Sequence, residues 1–331
     1  MPVWYLVTVA ALGWSAACAL TRWRRFGPFA HLPGLLAGGL PFLAVYLLVA
    51  ATAAALALDG LASAGGVAVA AAALAVLAAL AAVVRQSLRA DAALHEPPAT
   101  RPWRRILLAP LPAVRRDVVR VAGLAYGEGA YRTLDVYHHQ DRPEGSPVVL
   151  HLHGGAFRWG DKRREARPLI GHLAGRGMLC ASADYRLQPS VAYEEQLADV
   201  LAAIAWVRAH AQEYGGDPER IFLVGSSAGA YLAVDAVNAG APGIAGIVGR
   251  YGYYGRLVPL RPFPPTLVIH GRNDILVPPS HARAFAERLR ASSPQRTVYA
   301  ELPGAQHSFD RFESIRADAV SRAVERFITT A

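Results

Sequence analysis

Ser227 is the central residue of the motif that points most specifically to a catalytic role in this sequence. It lies in Gly225-Ser-Ser-Ala-Gly229, which follows the G-x-S-x-G pattern, between the apolar run Ile221–Val224 and a stretch with helical spacing. A strand that turns sharply into a helix presents such a serine above the end of a sheet, and the flanking glycines let the two elements approach. We therefore expect Gly225 and Gly229 to form the turn and Ser227 to be a nucleophile. The neighbouring Ser226 has no flanking glycines.

His307 is the histidine best placed to act as the base. A serine hydroxyl is a weak nucleophile at neutral pH and needs a base that an acid orients. The chain order for this motif is serine, acid, histidine. His307 lies in a loop directly after the last predicted strand, Thr297–Leu302. Of the other downstream histidines, we expect His270 to pack at a strand end and His281 to lie on a solvated helix face.

Asp274 is the carboxylate best placed to orient that base. It follows the predicted strand Thr266–Ile269 and comes 33 positions before His307. Asp310 is too close in sequence to His307 to come from a separate strand, and Glu301 lies within a strand. The sequence therefore predicts a catalytic triad of serine, Asp274 and His307.

Two consecutive glycines, Gly154 and Gly155, follow the predicted strand Val148–Leu152. Acyl transfer develops an oxyanion that preorganised N–H donors stabilise, and loss of one donor costs roughly 10²–10³ in rate. Glycines allow the backbone to turn its N–H groups inward. We predict an oxyanion hole built from the N–H groups of Gly154, Gly155 and Ala228.

Strands that alternate with helices are predicted to position these residues. The predicted strands are Val118–Ala125, Arg132–His138, Pro147–Leu152, Met178–Ala183, Ile221–Val224, Ile244–Val248, Thr266–Ile269 and Thr297–Leu302. This alternation indicates a mostly parallel sheet of about eight strands with helices on both faces. Ligands in such sheets bind at the carboxyl ends of the strands.

Residues 1–84 have the composition of a membrane region with about three helices. Residues 3–20, 35–58 and 61–84 contain no charged side chain and are 18, 24 and 24 residues long. A bilayer core needs about 20 apolar residues in a helix. A secretory signal peptide fits poorly, because no basic side chain precedes the first stretch.

Arginines predict the orientation of these helices. Arg22, Arg24 and Arg25 follow the first apolar stretch, and Arg85 and Arg89 follow the third. Three crossings would place both groups on one side, and basic loops remain cytoplasmic. The sequence then predicts an integral membrane protein of the cell membrane with its catalytic domain in the cytoplasm. Two crossings would put the groups on opposite sides.

Residues 85–116 are predicted to be a basic, proline-containing linker, and residues 117–331 the catalytic domain. The linker lies beside the predicted membrane region, where arginines attract anionic head groups at about 1 kcal/mol per charge. A solvated tether is the alternative interpretation.

The composition excludes several classes of function. The formal charge is +9, with Lys162 as the only lysine, and no zinc-finger spacing or basic-aromatic repeat accompanies it, so nucleic acid is not an expected partner. Cys18 and Cys180 do not form a disulfide framework or a thiolate metal site. We expect neither a cofactor nor a metal, because no nucleotide-binding glycine loop, haem motif or metal cluster is present. The oligomeric state is left open.

Four runs of the sequence together resemble a known group of enzymes. The runs are His153-Gly-Gly-Ala, Ala183-Asp-Tyr-Arg-Leu187, Gly215-Gly-Asp-Pro-Glu-Arg-Ile221 and Gly225-Ser-Ser-Ala-Gly229. They are similar to those of the hormone-sensitive-lipase-like carboxylesterases of the α/β-hydrolase superfamily, and of feruloyl- and acetyl-esterase-like and isoprenylcysteine methylesterase-like hydrolases. The last also pair membrane helices with this hydrolase. The resemblance implies an α/β-hydrolase fold, hydrolysis of carboxylic esters without a cofactor, and the same triad. The chain departs from the pattern at Ala156, where a third glycine is common, and at Ser226, where an acidic residue is common.

The substrate pocket is predicted to lack a cap. Only 47 positions separate Ser227 from Asp274, whereas many relatives insert helices there. We expect an open site, or one covered by the linker and membrane helices, that takes a small-molecule or lipid-like ester. Aromatic residues that are candidates for the pocket, or alternatively for the core or surface, are Phe157, Trp159, Tyr251, Tyr253 and Tyr254.

Other functions remain compatible with the same residues. A peptidase, an amidase or an acyltransferase would use the same triad. A catalytically silent membrane scaffold or receptor is the alternative from another class, although the intact triad argues against it.

Overall fold

The N-terminal region of the chain forms a group of apolar helices. The structure, a computed structural model, describes residues 2–23, 26–58, 61–97, 99–113, 115–255 and 257–331. The helices of this region are α1 (Val3–Leu20), α2 (Pro28–Gly39), α3 (Pro41–Ala57) and α4 (Ala64–Leu88). They share an apolar cluster of their own that includes Tyr5, Leu48 and Leu80. Two arginines of the predicted first basic loop, Arg24 and Arg25, lie outside the described residues.

Two helical segments within the described residues are long and apolar enough to cross a membrane. They are α1 and the segment Ala64–Leu94, in which α4 is followed by the short helix α5 (Ala90–Leu94). The segments Phe29–Gly39 and Pro41–Ala57 pass the same test only as a pair, and they are bent by 90° at the break between them. The described chain therefore has two candidate spans, or three if the bent pair counts as one.

The predicted single helix over residues 35–58 is wrong, because the structure divides it at Leu40. Leu40 has φ −126° and ψ 45°, and Pro41 is the first residue of α3. Proline has no N–H to donate to the preceding turn, and its ring disfavours the helical conformation of the residue before it. The chain therefore leaves one helix and starts another in a different direction.

Helices also occupy part of the predicted linker. The predicted third apolar helix, 61–84, begins at Ala64 instead, where the Ser63 hydroxyl accepts the N–H of Gly66 as an N-cap. It continues to Leu88, four residues past its predicted end. A further short helix, α6 (Trp103–Leu108), lies within the linker.

The sheet has eight strands, as predicted. They are β1 (Val118–Ala125), β2 (Thr133–His139), β3 (Ser146–Leu152), β4 (Leu179–Ala183), β5 (Gly216–Ser226), β6 (Ile244–Arg250), β7 (Thr266–Gly271) and β8 (Thr297–Leu302). Their order is β1-β2-β4-β3-β5-β6-β7-β8. The pairs from β4 to β8 are parallel, while β2 runs antiparallel to both of its neighbours. The predicted mostly parallel sheet is confirmed.

Helices cover both faces of this sheet. They are α7 (Arg167–Gly175), α8 (Tyr193–His210), α9 (Ala228–Asn238), α10 (Pro279–Ser292) and α11 (Ile315–Thr330). One apolar cluster joins the sheet to α8, α9 and α10, and a second joins it to α7, α11 and α5. Because both faces are packed, the inner strands β3, β4 and β7 are buried along most of their length. Between β6 and β7 the described residues form neither helix nor strand.

The N-terminal helices dock on the loops at the carboxyl ends of β7 and β8. The Asn273 side chain donates to the carbonyl of Ala19 at 3.1 Å, and the Gln306 side chain donates to the carbonyl of Cys18 at 2.8 Å. Both carbonyls belong to the last turn of α1, where no N–H of the helix remains to pair with them. The apolar helices therefore lie against the edge of the sheet at which ligands of this kind of fold bind.

Candidate active site

Ser227 occupies a strained turn between β5 and α9. Its φ is 51° and its ψ is −113°, a conformation that non-glycine residues rarely adopt. Its N–H donates to the carbonyl of Arg250 at 3.0 Å. A Cβ at Gly229 would lie 2.1 Å from the carbonyl oxygen of Leu152, and one at Gly225 would lie 2.4 Å from the backbone of α9. The expected positions of the two glycines therefore have a steric reason, since strand and helix meet backbone to backbone.

The structure brings Ser227, His307 and Asp274 together in one hydrogen-bonded chain. Nε2 of His307 lies 3.0 Å from the Ser227 hydroxyl oxygen, and Nδ1 of His307 lies 2.7 Å from Oδ2 of Asp274. Oδ1 of Asp274 accepts the N–H groups of Leu276 at 2.9 Å and Val277 at 2.8 Å. Because two backbone donors hold Oδ1, the other oxygen is directed at the imidazole.

Asp274 is a carboxylate that the site keeps ionised. Its burial alone would raise the pKa of the carboxyl, but the charge of His307 and hydrogen bonds from His270 and His307 hold that pKa well below its usual range. Nε2 of His270 lies 3.2 Å from Oδ2 of Asp274 and 3.0 Å from the carbonyl of Val277. His270 therefore does more than pack at a strand end, because it contacts the acid of the triad.

The backbone N–H groups near Ser227 differ in one respect from the predicted oxyanion hole. The N–H of Gly154 donates to a carboxylate oxygen of Glu165 at 2.7 Å, so in this structure it is not free to stabilise an oxyanion. Among the described residues, the N–H groups of Gly155, Ala156 and Ala228 have no hydrogen-bond partner. Gly155 has φ 118° and Ala156 has φ 51°, so the chain reverses where these N–H groups lie. Glu165 has no local sequence signal that would have predicted this contact.

A buried polar network lies beneath the turn of Ser227. The Arg250 guanidinium forms an ion pair with Asp310 and also donates to the Ser226 hydroxyl at 2.6 Å. His151 lies 3.3 Å from the Ser226 hydroxyl through Nε2. Burial and the charge of Arg250 hold the pKa of His151 well below its usual range, so its imidazole is neutral. The network links the strand before Ser227 to the loop after His307.

The five aromatic candidates for the pocket occupy four different positions, and two of them share a cluster. Phe157 joins an edge-to-face cluster with Tyr193 and Tyr231, and Tyr253 stacks on Tyr231 at 6.2 Å between ring centroids. Tyr231 lies on α9, which begins at the turn of Ser227, so this cluster flanks the site.

The other three aromatic candidates have different positions. Trp159 is 71% exposed on the surface. The ring of Tyr251 packs on His307 at 4.9 Å, while its hydroxyl donates to Asp310. Tyr254 is fully buried and stacks on Phe285 in the core, so the expectation that Tyr254 lines the pocket is wrong.

One residue near the triad comes from the N-terminal region. His31, on α2, contacts the ring of His307 with 6.2 Å between the ring centroids. It lies between two of the predicted apolar stretches, and no motif of the sequence pointed to it. The described residues contain no group of three or more His, Cys, Asp or Glu side chains able to hold a metal ion.

The strand order, the turn at Ser227 and the position of the acid after β7 define an α/β-hydrolase fold. Comparison with known proteins agrees. The BD-FAE family matches residues 134–242. The chain is 34% identical over 267 residues to the probable carboxylic ester hydrolase LipM of Mycobacterium tuberculosis, a match that covers 65% of this chain and 62% of that protein. It is 44% identical over 111 residues to a probable isoprenylcysteine α-carbonyl methylesterase of rice, covering 33% of this chain and 26% of that protein.

Solved structures agree on the fold. Thermogutta terrifontis esterase 2 superimposes with a TM-score of 0.55 at 23% identity, covering 66% of this chain and 96% of that chain. The chain has the α/β-hydrolase fold, and the sequences that it resembles include carboxylic ester hydrolases and esterases. Its matches with LipM and with esterase LipQ of M. tuberculosis span 62% and 63% of those proteins, which is less than two thirds of their length.

Proposed function

We propose that this protein is a membrane-anchored serine hydrolase that cleaves carboxylic esters through an acyl-enzyme intermediate. The observation that carries the proposal is the unbroken chain from the Ser227 hydroxyl through His307 to the buried carboxylate of Asp274. The similar proteins include a probable carboxylic ester hydrolase and two esterases, which favours an ester over an amide.

The first half of the reaction follows from this geometry. The Ser227 oxygen attacks the ester carbonyl while Nε2 of His307, 3.0 Å away, takes the hydroxyl proton. Asp274 stabilises the imidazolium that forms and keeps its ring oriented. The tetrahedral intermediate then collapses, the carbon–oxygen bond to the alcohol breaks, and His307 gives its proton to the leaving oxygen. The acyl group remains on Ser227.

Water completes the cycle by the same steps, with water as the nucleophile and the Ser227 oxygen as the leaving group. His307 takes a proton from water as its oxygen attacks the acyl carbonyl, and the proton returns to the Ser227 oxygen when the acid leaves. In both halves the oxyanion needs donors about 2.7–3.1 Å away. We assign this role to the N–H groups of Gly155, Ala156 and Ala228, whose lack of another partner supports the assignment, in place of Gly154.

The proposed anchor is the N-terminal group of helices. α1 and the segment Ala64–Leu94 each satisfy the length and composition of a span, and the bent pair α2–α3 would make a third. The carboxyl-terminal turn of α1 touches the catalytic domain, and α4 leads into it. Arg22, Arg85 and Arg89 follow or end these two helices, which supports a cytoplasmic catalytic domain. Reporter fusions at the amino and carboxyl ends should then give opposite locations, and a shared location would contradict three crossings.

The proposed substrates are esters that partition into lipid. The triad faces the apolar helices, and no helix or strand of the described β6–β7 segment covers it. Activity should therefore rise with acyl-chain length for substrates presented in detergent or lipid. A preference for short, fully soluble esters would contradict this choice of substrate while leaving the hydrolase assignment intact.

A fluorescent fluorophosphonate probe tests the hydrolase assignment directly. Membranes that contain the protein are treated with the probe beside membranes that contain Ser227→Ala at the same level. Labelling of the wild type alone is the expected result, because the probe reacts with an activated serine. Equal labelling of both proteins, or absence of labelling in the folded wild type, would overturn the proposed mechanism.

A further inference from the structure

Helix α2 packs on α1 and is bonded to the catalytic domain at its carboxyl-terminal end. A Cβ at Gly34 would lie 3.0 Å from the backbone of Cys18 in α1, so the two helices touch there backbone to backbone. At the carboxyl-terminal end of α2, the Arg316 guanidinium donates to the carbonyl of Gly38 at 3.1 Å and to that of Pro303 at 3.2 Å. Burial lowers the pKa of Arg316 to about 10, so it is charged at neutral pH and suits the negative end of the helix dipole.

The two sides of α2 differ in character. Phe29, Leu32 and Leu36 are 82%, 57% and 41% exposed and share one side of the helix. His31 lies on the opposite side with the buried Leu35, and it is the only polar side chain in the sequence PFAHLPGLLAGG of this helix. One side of α2 therefore suits lipid, and the other presents a single imidazole to the site.

The imidazole of His31 has no hydrogen-bond partner among the described residues. Its Nδ1 is buried and unpaired, and Nε2 makes no hydrogen bond with any described side chain or backbone group. An unpaired buried polar atom costs about 1–3 kcal/mol, so such atoms are uncommon in folded proteins. A histidine at this position, in an otherwise apolar helix, indicates that the nitrogen meets a polar group that is not part of the chain.

The position of His31 relative to His307 indicates which part of the substrate it meets. His307 must hand its proton to the leaving alcohol oxygen, which therefore lies within about 2.6–3.2 Å of Nε2 during the reaction. The ring of His31 is 6.2 Å from the ring of His307. Atoms of the alcohol one to three bonds beyond the leaving oxygen are then within reach of the His31 ring.

We propose that His31 is a substrate-binding residue that hydrogen-bonds a polar group on the alcohol part of the ester. The proposal rests on the esterase function proposed above and names its substrate class more closely. That class is an amphiphilic ester, in which a hydroxylated alcohol lies beside His31 and the apolar chain lies toward the membrane. The N-terminal helices then supply part of the active site as well as the anchor.

A pair of esters that differ only in the alcohol tests this proposal. The ethyl ester and the hydroxyethyl ester of the same fatty acid are hydrolysed in detergent by the wild type and by His31→Phe, which keeps the ring but removes both nitrogens. We expect kcat/KM for the hydroxyethyl ester to fall by a factor of about 3–10, the size of one neutral hydrogen bond. The value for the ethyl ester and the rate of fluorophosphonate labelling should stay within about twofold. Leu32→Ala is the matched control, because Leu32 is next to His31 but on the exposed side of the helix. It should leave the ratio of kcat/KM for the two esters and the labelling rate unchanged.

The alternative outcomes each overturn the proposal. If His31→Phe lowers kcat/KM for both esters and the labelling rate by the same factor, His31 supports the fold or the position of His307 instead. If the ratio of the two esters stays at its wild-type value, His31 does not contact the alcohol. His31→Asn provides a second variant, which should recover part of the preference through its amide. Failure of the wild type itself to be labelled would instead refute the hydrolase function on which this proposal rests.

Discussion

Replacement of Asp274 by asparagine should disable the site through the position of one proton. Oδ1 of Asp274 is held by two backbone N–H groups, at 2.9 and 2.8 Å. In Asp274→Asn the amide oxygen must take that place, because an NH₂ group there would face two other donors. The NH₂ group then replaces the oxygen that now lies 2.7 Å from Nδ1 of His307 and donates to that nitrogen. His307 is left with its proton on Nε2, where it cannot accept the proton of Ser227.

The expected loss is large because the wrong tautomer removes the base entirely. A substitution of this type in a triad costs about 10⁴ in kcat, and at 1.36 kcal/mol per factor of ten this corresponds to about 5 kcal/mol of transition-state stabilisation. The fold should persist, since the neutral amide keeps the two backbone hydrogen bonds and relieves the cost of a buried charge.

The assay compares fluorophosphonate labelling rates and ester hydrolysis of purified wild type and Asp274→Asn, with apparent Tm as the check on folding. Glu301→Gln is the matched control. Glu301 is the other nearby strand-associated carboxylate, but it pairs with Arg283 at 2.6 Å and Arg272 at 3.3 Å, away from the triad. The control should keep most of the activity. A folded Asp274→Asn that retains more than about a tenth of the wild-type rate would refute the reasoning.

Three further predictions concern the framework around the site. Gly229→Ala places a Cβ 2.1 Å from the carbonyl of Leu152, so we expect loss of labelling and an apparent Tm lower by several degrees; an unchanged Tm would contradict the close approach. Arg250→Met leaves the buried carboxylate of Asp310 without its cationic partner, which should cost about 3–5 kcal/mol, measured by denaturant unfolding in detergent; a cost below about 1 kcal/mol would contradict this reasoning. A hydrogen bond from His172 lowers the pKa of Glu325 to about 2, so Glu325 stabilises the fold above the unfolded pKa near 4.3 and loses this effect as pH falls toward 2. Glu325→Gln should therefore lower the Tm at pH 7 and leave it close to wild type near pH 2; an equal loss at both values would contradict the linkage.

Local patterns carried the prediction of the sheet and of the site. The G-x-S-x-G turn could be found because close packing of strand and helix requires glycine at both flanking positions. This requirement is local, so five consecutive residues of the sequence reveal it. Asp274 and His307 could be placed because each follows an apolar strand run by only a few residues. Strand positions were predictable because apolar runs of this length, separated by helical spacing, have few other structures available.

Contacts between distant segments could not be predicted in this way. Nothing near Gly154 in the sequence shows that its N–H would pair with Glu165, and the aromatic Tyr254 gave no sign that it would stack in the core. Asp310 was recognised only as a residue too close to His307 to be its partner. Its actual partner, Arg250, lies 60 residues away, so the pairing depends on how β6 and the loop after β8 meet.

The sequence by itself placed the proposed nucleophile, base and acid at the ends of predicted strands, because each of them follows an apolar strand run. It also determined that the first helices are apolar enough for a membrane. Only the tertiary structure decided that α2 turns away from α3 at Leu40 and lies beside His307, with His31 at the site. The physical reason is one of distance along the chain. Backbone sterics and strand periodicity act within a few residues, whereas the packing of α2 on the catalytic domain joins Gly38 to Arg316 across 278 positions.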